Sequence, residues 1–220
     1  MKRIAIILCG SGFKDGSEIH ESVLTLLALS TRGARYHCFA LDRPQHYVVD
    51  CLTGKVAHAE SRNQLVESAR IARGAVSPLT DLSISDFDAV ILPGGFGAAK
   101  NLCDYAFAGS DAKVVPEVGQ VLDGFHHAKK PIGAICIAPM ILALHFKGKG
   151  LRLTLGPADD EVFGHVRMLG HIPVEHKVDG ICIDEANRVV TTPAYMHEAP
   201  ALHEVARGID ALVETVLKMA

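Results

Sequence analysis

KPIGAICIAPMILALHF, residues 130–146, is the stretch that decides how the rest of the chain is read. Ile132 to Ile135 is an apolar run of strand length, and Met140 to Leu144 is a helix-forming apolar run with Pro139 near its start, where a missing N–H costs little. Cys136 therefore falls at a strand-to-helix joint. Such a joint pushes a side chain out of the sheet top and aims the unpaired N–H groups of the next turn at it, as in the nucleophile elbow of hydrolases. Cysteines at helix N-termini can have pKa values lowered from about 8.5 to roughly 3.5–7.5, so a thiolate is favoured here. The local pattern fits a buried core thiol as well as a nucleophile, and the choice between them rests on the rest of the chain.

Upstream, Arg3 to Leu8 reads as a fully buried strand ended by Gly10 and Gly12. After a polar turn, Glu18 to Arg32 carries Ile19, Val23, Leu26 and Leu27 at helical spacing and stops at Gly33. Arg35 to Leu41 is a second strand, which completes a β-α-β unit, the building block of a parallel sheet. Pro44 to Gly74 is the least regular region, a lid or an excursion, with a helix from about Ser61 to Arg73. Ala89 to Leu92 is a short buried strand running into the Gly- and Ala-rich loop PGGFGAAKN, and a helix from Pro116 to Lys129 leads into the Cys136 strand.

Downstream, Leu151 to Leu155 reads as a strand and Asp159 to Leu169 as a helix closed by Gly170. Gly180 to Asp184 and Arg188 to Thr192 read as a hairpin. Glu198 to Leu217 closes the chain as an amphipathic helix carrying Leu202, Val205, Ile209, Leu212, Val213 and Val216 on one face. This alternation predicts a doubly wound α/β sandwich over residues 1–220 as one domain, with ligands beyond the carboxyl ends of the strands.

Bulk properties narrow the function. A chain of 220 residues, 49% hydrophobic, buries a substantial core, and a net charge of −3 with dispersed Lys and Arg argues against nucleic acid or an anionic membrane surface. The longest apolar stretch is too short to span a bilayer. The N-terminal apolar run lacks the cleavage pattern of a signal peptide. Without CxxC pairs, Cys9, Cys38, Cys51, Cys103, Cys136 and Cys182 are expected to be free thiols in a reducing cytoplasm. The histidines, including His126 and His127, show no ligand spacing, so no metal site is expected.

Three loops leave carboxyl ends of strands: Cys9 to Ser17, Pro93 to Asn101 and the turn at Cys136. If their strands are neighbours, they share one crevice. The first brings Asp15, Glu18 and Glu21 to the start of a helix. Asp15 and Glu18 are spaced as a capping box, which gives Glu18 a structural alternative; for Glu21 the alternative is an ordinary solvated helix face. The second offers backbone N–H groups around Gly95 that, with the N–H of Ile137, suit an oxyanion. A thiolate, a proton-carrying carboxylate and paired amides together suit attack on a carbonyl carbon.

The same stretches carry a resemblance. GSEIHE (16–21), SRNQLVESARIARG (61–74), LPGGFGAAKNL (92–102), CIAP (136–139) and VVTTPAYM (189–196) together resemble the class I glutamine-amidotransferase-like superfamily that includes PfpI-type proteases and glyoxalase III-type enzymes, and more closely its ElbB branch of isoprenoid-biosynthesis glyoxalases. The resemblance runs over essentially the whole chain. It implies a flavodoxin-like sandwich, a homodimer, Cys136 as elbow cysteine, Glu21 or Glu18 as its carboxylate, and Gly95 with Ile137 as oxyanion amides. Counting back from the helix end at Arg32 and Gly33 favours Glu21.

The implied activity is a cofactor-independent lyase that converts a small dicarbonyl, glyoxal or methylglyoxal, to the 2-hydroxy acid. One departure matters: where protease-like relatives have a His after the cysteine, this chain has Ile137. Proteolysis and glutamine hydrolysis are correspondingly disfavoured. His197 and Glu198 are adjacent rather than spaced as in a glutaminase triad. The alternative is a redox-responsive or binding protein with vestigial or deglycase-like turnover, in which peroxide would oxidise Cys136 to a sulfinic acid.

Overall fold

The computed structural model describes residues 1–158 and 161–220. In chain order the elements are β1 (Arg3–Leu8), α1 (Ile19–Thr31), β2 (Arg35–Ala40), α2 (Gln64–Ile71), β3 (Val76–Pro78), β4 (Ala89–Leu92), α3 (Tyr105–Ala108), α4 (Pro116–His127), β5 (Ile132–Ile135), α5 (Pro139–His145), β6 (Arg152–Leu153), α6 (Glu161–Met168), β7 (Ile172–Pro173), β8 (Cys182–Asp184), β9 (Val189–Thr192) and α7 (Leu202–Met219). A seven-stranded sheet runs β3-β2-β1-β4-β5-β9-β8. Its pairs are parallel except β8 with β9, the expected hairpin.

Helices cover both faces, and the residues of β1 show how. Ile4, Ile6 and Leu8 join a core with Leu29 of α1 and Val205, Ile209, Leu212 and Val213 of α7, whereas Ala5 and Ile7 face a second core with Val118, Leu122 and Phe125 of α4 and Met140 of α5. Successive side chains of a strand point to opposite faces, so a strand covered on both sides must be apolar throughout. This is the flavodoxin-like α/β sandwich. The strand order reverses between β1 and β4, which makes the crevice above their carboxyl ends the expected ligand position. With β5 next to β4, the three chemistry-bearing loops meet there.

Several sequence expectations need correction. Helical spacing identifies α1 but not its buried face: Ile19, Val23 and Leu27 are exposed, whereas Glu21, Ser22, Thr25, Ala28 and Leu29 point inward. The hydroxyls survive burial by donating back along the helix, Ser22 Oγ to the Glu18 carbonyl and Thr25 Oγ1 to the Glu21 carbonyl. Leu202 is likewise exposed at the start of α7. The strand expected at Leu151 to Leu155 forms, shortened to Arg152–Leu153, and pairs in parallel with β7 in a separate two-stranded sheet. The expected start of α6, at Asp159, lies outside the described residues.

The irregular region is an excursion rather than a lid. Bridges between Pro44 and Asn63 and between Val49 and Val56 close it on itself. It is tied down by the Val49 N–H to Asp15 Oδ2 (2.8 Å) and the His46 N–H to Asn101 Oδ1 (2.9 Å). Asp15 is therefore a buried anchor and not the helix cap. Glu18 takes the cap position, its Oε2 accepting the Glu21 N–H at 2.7 Å.

Candidate active site

Cys136 follows β5 at φ 60°, a left-handed conformation rare for a residue with a Cβ. Its own N–H still donates to the Thr192 carbonyl of β9, and the Ala138 N–H turns back to the Ile135 carbonyl, so the chain bends within one residue of the sheet. Strain of this kind costs about 1–3 kcal/mol and is held only where the surroundings over-determine it. The elbow read from the sequence is thus present, with sulfur at the floor of a crevice and the residue 7% exposed.

The loops above β1 and β4 are interlocked by main-chain hydrogen bonds. The Glu18 N–H donates to the Gly94 carbonyl, the Phe96 N–H to the Phe13 carbonyl and the Gly97 N–H to the Gly16 carbonyl, at 2.8–3.0 Å. Glycine is required at the centre of this contact. A Cβ on Gly94 would lie 2.6 Å from Cys136 Cβ and 2.8 Å from Glu21 Oε2. Because residue 94 has no side chain, Glu21 can approach the elbow.

Glu21 is fully buried, which removes the solvated-face alternative. Its Oε2 accepts the Gly94 N–H at 2.8 Å. The carboxyl also interacts with the Cys136 thiol and, more weakly, the Tyr195 N–H, but Oε1 has no well-aligned partner. Glu18 lines the same crevice with its carboxylate occupied by the cap. The structure thus places both acids near the elbow and sets Glu21 against the sulfur. The N–H groups of Gly95 and Ile137 both point toward the sulfur from opposite loops.

Burial, reinforced by the neighbouring Glu18 carboxylate, pushes the Glu21 carboxyl up to about 8. Burial and then the Glu21 carboxylate push the Cys136 thiol well above its ordinary value, against the opposing N–H groups of Gly95 and Ile137. The lowered thiol expected from a helix N-terminus is therefore outweighed; α5 has only seven residues, and the sulfur is buried opposite an acid. Two neighbouring negative charges are unfavourable in so dry a site, so burial and mutual repulsion favour the protonated form of each and the pair titrates as a unit. With a proton on Glu21, repulsion on the sulfur disappears and a thiolate formed there meets the two amides.

Two further groups escaped the sequence reading. Tyr195, just past the carboxyl end of β9, lines the crevice, and its hydroxyl is 2.7 Å from His20 Nδ1, the donor depending on the imidazole tautomer. Burial followed by Glu18 and Glu21 raises the phenol above its usual pKa. Its position beyond a central strand is the signal that would have found it. The second group is a set of apolar walls, Phe13, Phe96, Tyr105, Val162 and Met196, which close the rest of a cavity of about 380 Å³. His197 is engaged elsewhere, its Nε2 2.9 Å from the His176 carbonyl oxygen. Among the described residues no three His, Cys, Asp or Glu side chains cluster as metal ligands, and no helix is long and apolar enough to cross a membrane.

A doubly wound α/β sheet with a cysteine elbow between Gly-rich loops and an acid from the first helix defines a class I glutamine-amidotransferase-like protein. The chain belongs to the DJ-1/PfpI family, whose model matches residues 5–204. It is 46% identical to the rat ES1 protein homolog, mitochondrial, over 99% of this chain and 84% of that protein. It is 44% identical to the human glutamine amidotransferase-like class 1 domain-containing protein 3, mitochondrial, over 99% of this chain and 83% of that one. Among solved structures, an isoprenoid biosynthesis protein with amidotransferase-like domain from Ehrlichia chaffeensis superposes with a TM-score of 0.92 at 34% identity, over 100% of this chain and 99% of that one.

Proposed function

We propose that the protein is a cofactor-independent glyoxalase of the ElbB type, a lyase converting glyoxal or methylglyoxal to glycolate or lactate. The observation that carries this is the buried Glu21 carboxyl set against Cys136, with the Gly95 and Ile137 amides on the sulfur. The thiolate adds to an aldehyde carbon, forming a C–S bond, and the oxyanion of the resulting hemithioacetal is held by the two amides. Glu21 passes its proton to that oxyanion and, now a carboxylate, removes the proton on the carbon and returns it to the neighbouring carbonyl carbon, while the hydroxyl proton moves to the second oxygen. One carbon is oxidised to a thioester and the other reduced to a carbinol, so no external oxidant is needed. Water then cleaves the thioester, releasing the 2-hydroxy acid and the thiol.

The raised Glu21 carboxyl suits this task, since a proton carrier works best with a pKa near the working pH. Glu18 serves by capping α1 and by raising Glu21 through its charge. A reducing compartment, the cytoplasm on the sequence reading, keeps the thiol available. The link to isoprenoid metabolism rests on the ElbB resemblance and on the name of the Ehrlichia relative. A homodimer follows the same resemblance, and the exposed Ile19, Val23 and Leu27 of α1 offer a face for it. The test is glycolate formation from glyoxal by wild type and Cys136→Ala; undiminished turnover in the variant removes the mechanism.

A further inference from the structure

The cavity over Cys136 is far larger and more apolar than glyoxal requires. Its volume of about 380 Å³ lies within the roughly 300–1,000 Å³ typical of sites for drug-sized ligands. Glyoxal has four heavy atoms. Phe13, Phe96, Tyr105, Ile137, Val162 and Met196 form its walls.

Charge points the same way. Among the described residues Glu18 is the charged side chain on the lining, so an anionic substrate would meet an acid there. Among the described residues no Lys or Arg lines the cavity, and the two residues not described are both aspartates. Two cations lie against aromatic residues of the lining without entering it: Lys14 Nζ is 5.2 Å from the Phe13 ring centroid, and Lys100 Nζ is 5.3 Å from the Phe96 ring centroid and donates to the Lys14 carbonyl at 2.9 Å. Phe96 is held from a second side through its N–H to the Phe13 carbonyl. The main chain of the aromatic wall is therefore fixed, with the Phe96 ring 54% exposed.

We infer that the preferred substrate is an α-ketoaldehyde bearing a neutral apolar tail, alkyl or aryl, of about five to eight further carbons, held with its aldehyde at Cys136 and its tail between Phe96, Tyr105 and Met196. The inference rests on the glyoxalase assignment above and narrows its substrate class. Apolar contacts of this kind discriminate by about 10–200-fold for each methylene in a fitted pocket, less where the wall is partly open, as it is at Phe96.

The experiment compares kcat/KM for glyoxal, methylglyoxal, isobutylglyoxal and phenylglyoxal, each divided by its rate with free N-acetylcysteine to remove intrinsic reactivity. A rise of about 100-fold from glyoxal to the larger members is expected. Phe96→Ala should lower the phenylglyoxal-to-glyoxal ratio about tenfold, and a para-carboxylate on phenylglyoxal should cost about tenfold or more. A flat normalised series, or equal turnover of the carboxylated compound, with both reactions still dependent on Cys136, overturns the inference and leaves the glyoxalase assignment standing. Absence of Cys136-dependent turnover on every member instead removes that assignment. The pocket is then judged by binding of benzylacetone and acetone to Cys136→Ala: tighter benzylacetone, weakened by adding Phe96→Ala, supports an apolar site, and equal affinities overturn it.

Discussion

Glu21 Oε2 accepts the Gly94 N–H at 2.8 Å, which ties the opening helix to a loop whose next residue aims its own N–H at the Cys136 sulfur. One short contact thus fixes an acid, a sulfur and an amide donor in relation to one another. It also keeps a carboxyl group in a place where charge is costly, and that cost is measurable.

The Glu21 carboxyl has a folded-state pKa of about 8 against an ordinary 4.5, because burial and Glu18 disfavour its charge. Between those pH values the folded protein holds a proton that the unfolded chain releases. This contribution to stability is full below about pH 4.5 and is lost as pH rises toward 8. Glu21→Gln retains an acceptor for the Gly94 N–H but does not titrate. Urea unfolding at pH 5 and pH 8.5 should show the variant gaining roughly 3–5 kcal/mol on wild type across that interval. Its glyoxal turnover should fall about 10²–10⁴-fold. A stability difference independent of pH would mean that the carboxyl ionises freely.

Gly95 combines φ 95° with two tight contacts: a Cβ there would lie 2.5 Å from the Glu18 nitrogen and 2.6 Å from the Gly16 carbonyl oxygen, both main-chain atoms that cannot swing away. Gly95→Ala should therefore force the two loops apart, at a cost of about 2–4 kcal/mol. It should also reduce turnover by displacing one of the two amides at the sulfur. A variant as stable and active as wild type would show that the loops are not locked as described.

How much of this was legible depends on what each residue's neighbours must be. β1, β4 and β5 are buried on both faces, so their apolar runs declare them, and Cys136 is marked by the change from strand to helix at one residue. β3 and β7 have three and two residues, too few for a periodicity to form, whereas β6 falls inside the apolar run Leu151 to Leu155. The buried face of α1 was hidden for another reason. Ser22 and Thr25 satisfy their hydroxyls on carbonyls one turn back, and Glu21 finds Gly94 seventy-three residues away, a pairing that no hydropathy pattern encodes. The thiol pKa was misjudged because a helix terminus is local in sequence while the opposing acid is not.

Asn101, the last residue of the PGGFGAAKN loop, had no assigned role, yet its buried side chain clamps three segments. Nδ2 donates to the Cys9 carbonyl at 3.0 Å and the Asp15 carbonyl at 2.8 Å, and Oδ1 accepts the His46 N–H. Asn101→Ala strands the Cys9 carbonyl and the His46 N–H, while the Asp15 carbonyl keeps Gln45 Nε2 at 3.0 Å, for an expected loss of about 2–4 kcal/mol. Hydrogen exchange should speed up most at residues 45–49, which the clamp and Asp15 hold down. Unchanged exchange there would assign the excursion's order to other contacts.

The last prediction concerns the outer face of α1. Ile19, Val23 and Leu27 recur every fourth residue and are 45%, 46% and 58% exposed, a ladder on the side of the helix away from Glu21. Val23 and Leu27 share a surface depression with Tyr36 of β2 and Ile71 of α2, so the apolar area is continuous across three elements. If two copies pair through it, the helix carrying Glu21 is braced on both sides. Leu27→Glu should then convert a dimer to a monomer by light scattering. Its effect on the fold of each copy should stay within about 0.5 kcal/mol, since an exposed side chain has no buried contacts to lose. A wild-type monomer, or a variant that remains dimeric, would place the pairing surface elsewhere or remove it. The measurement is independent of catalysis, because Leu27 touches neither the cavity nor the elbow.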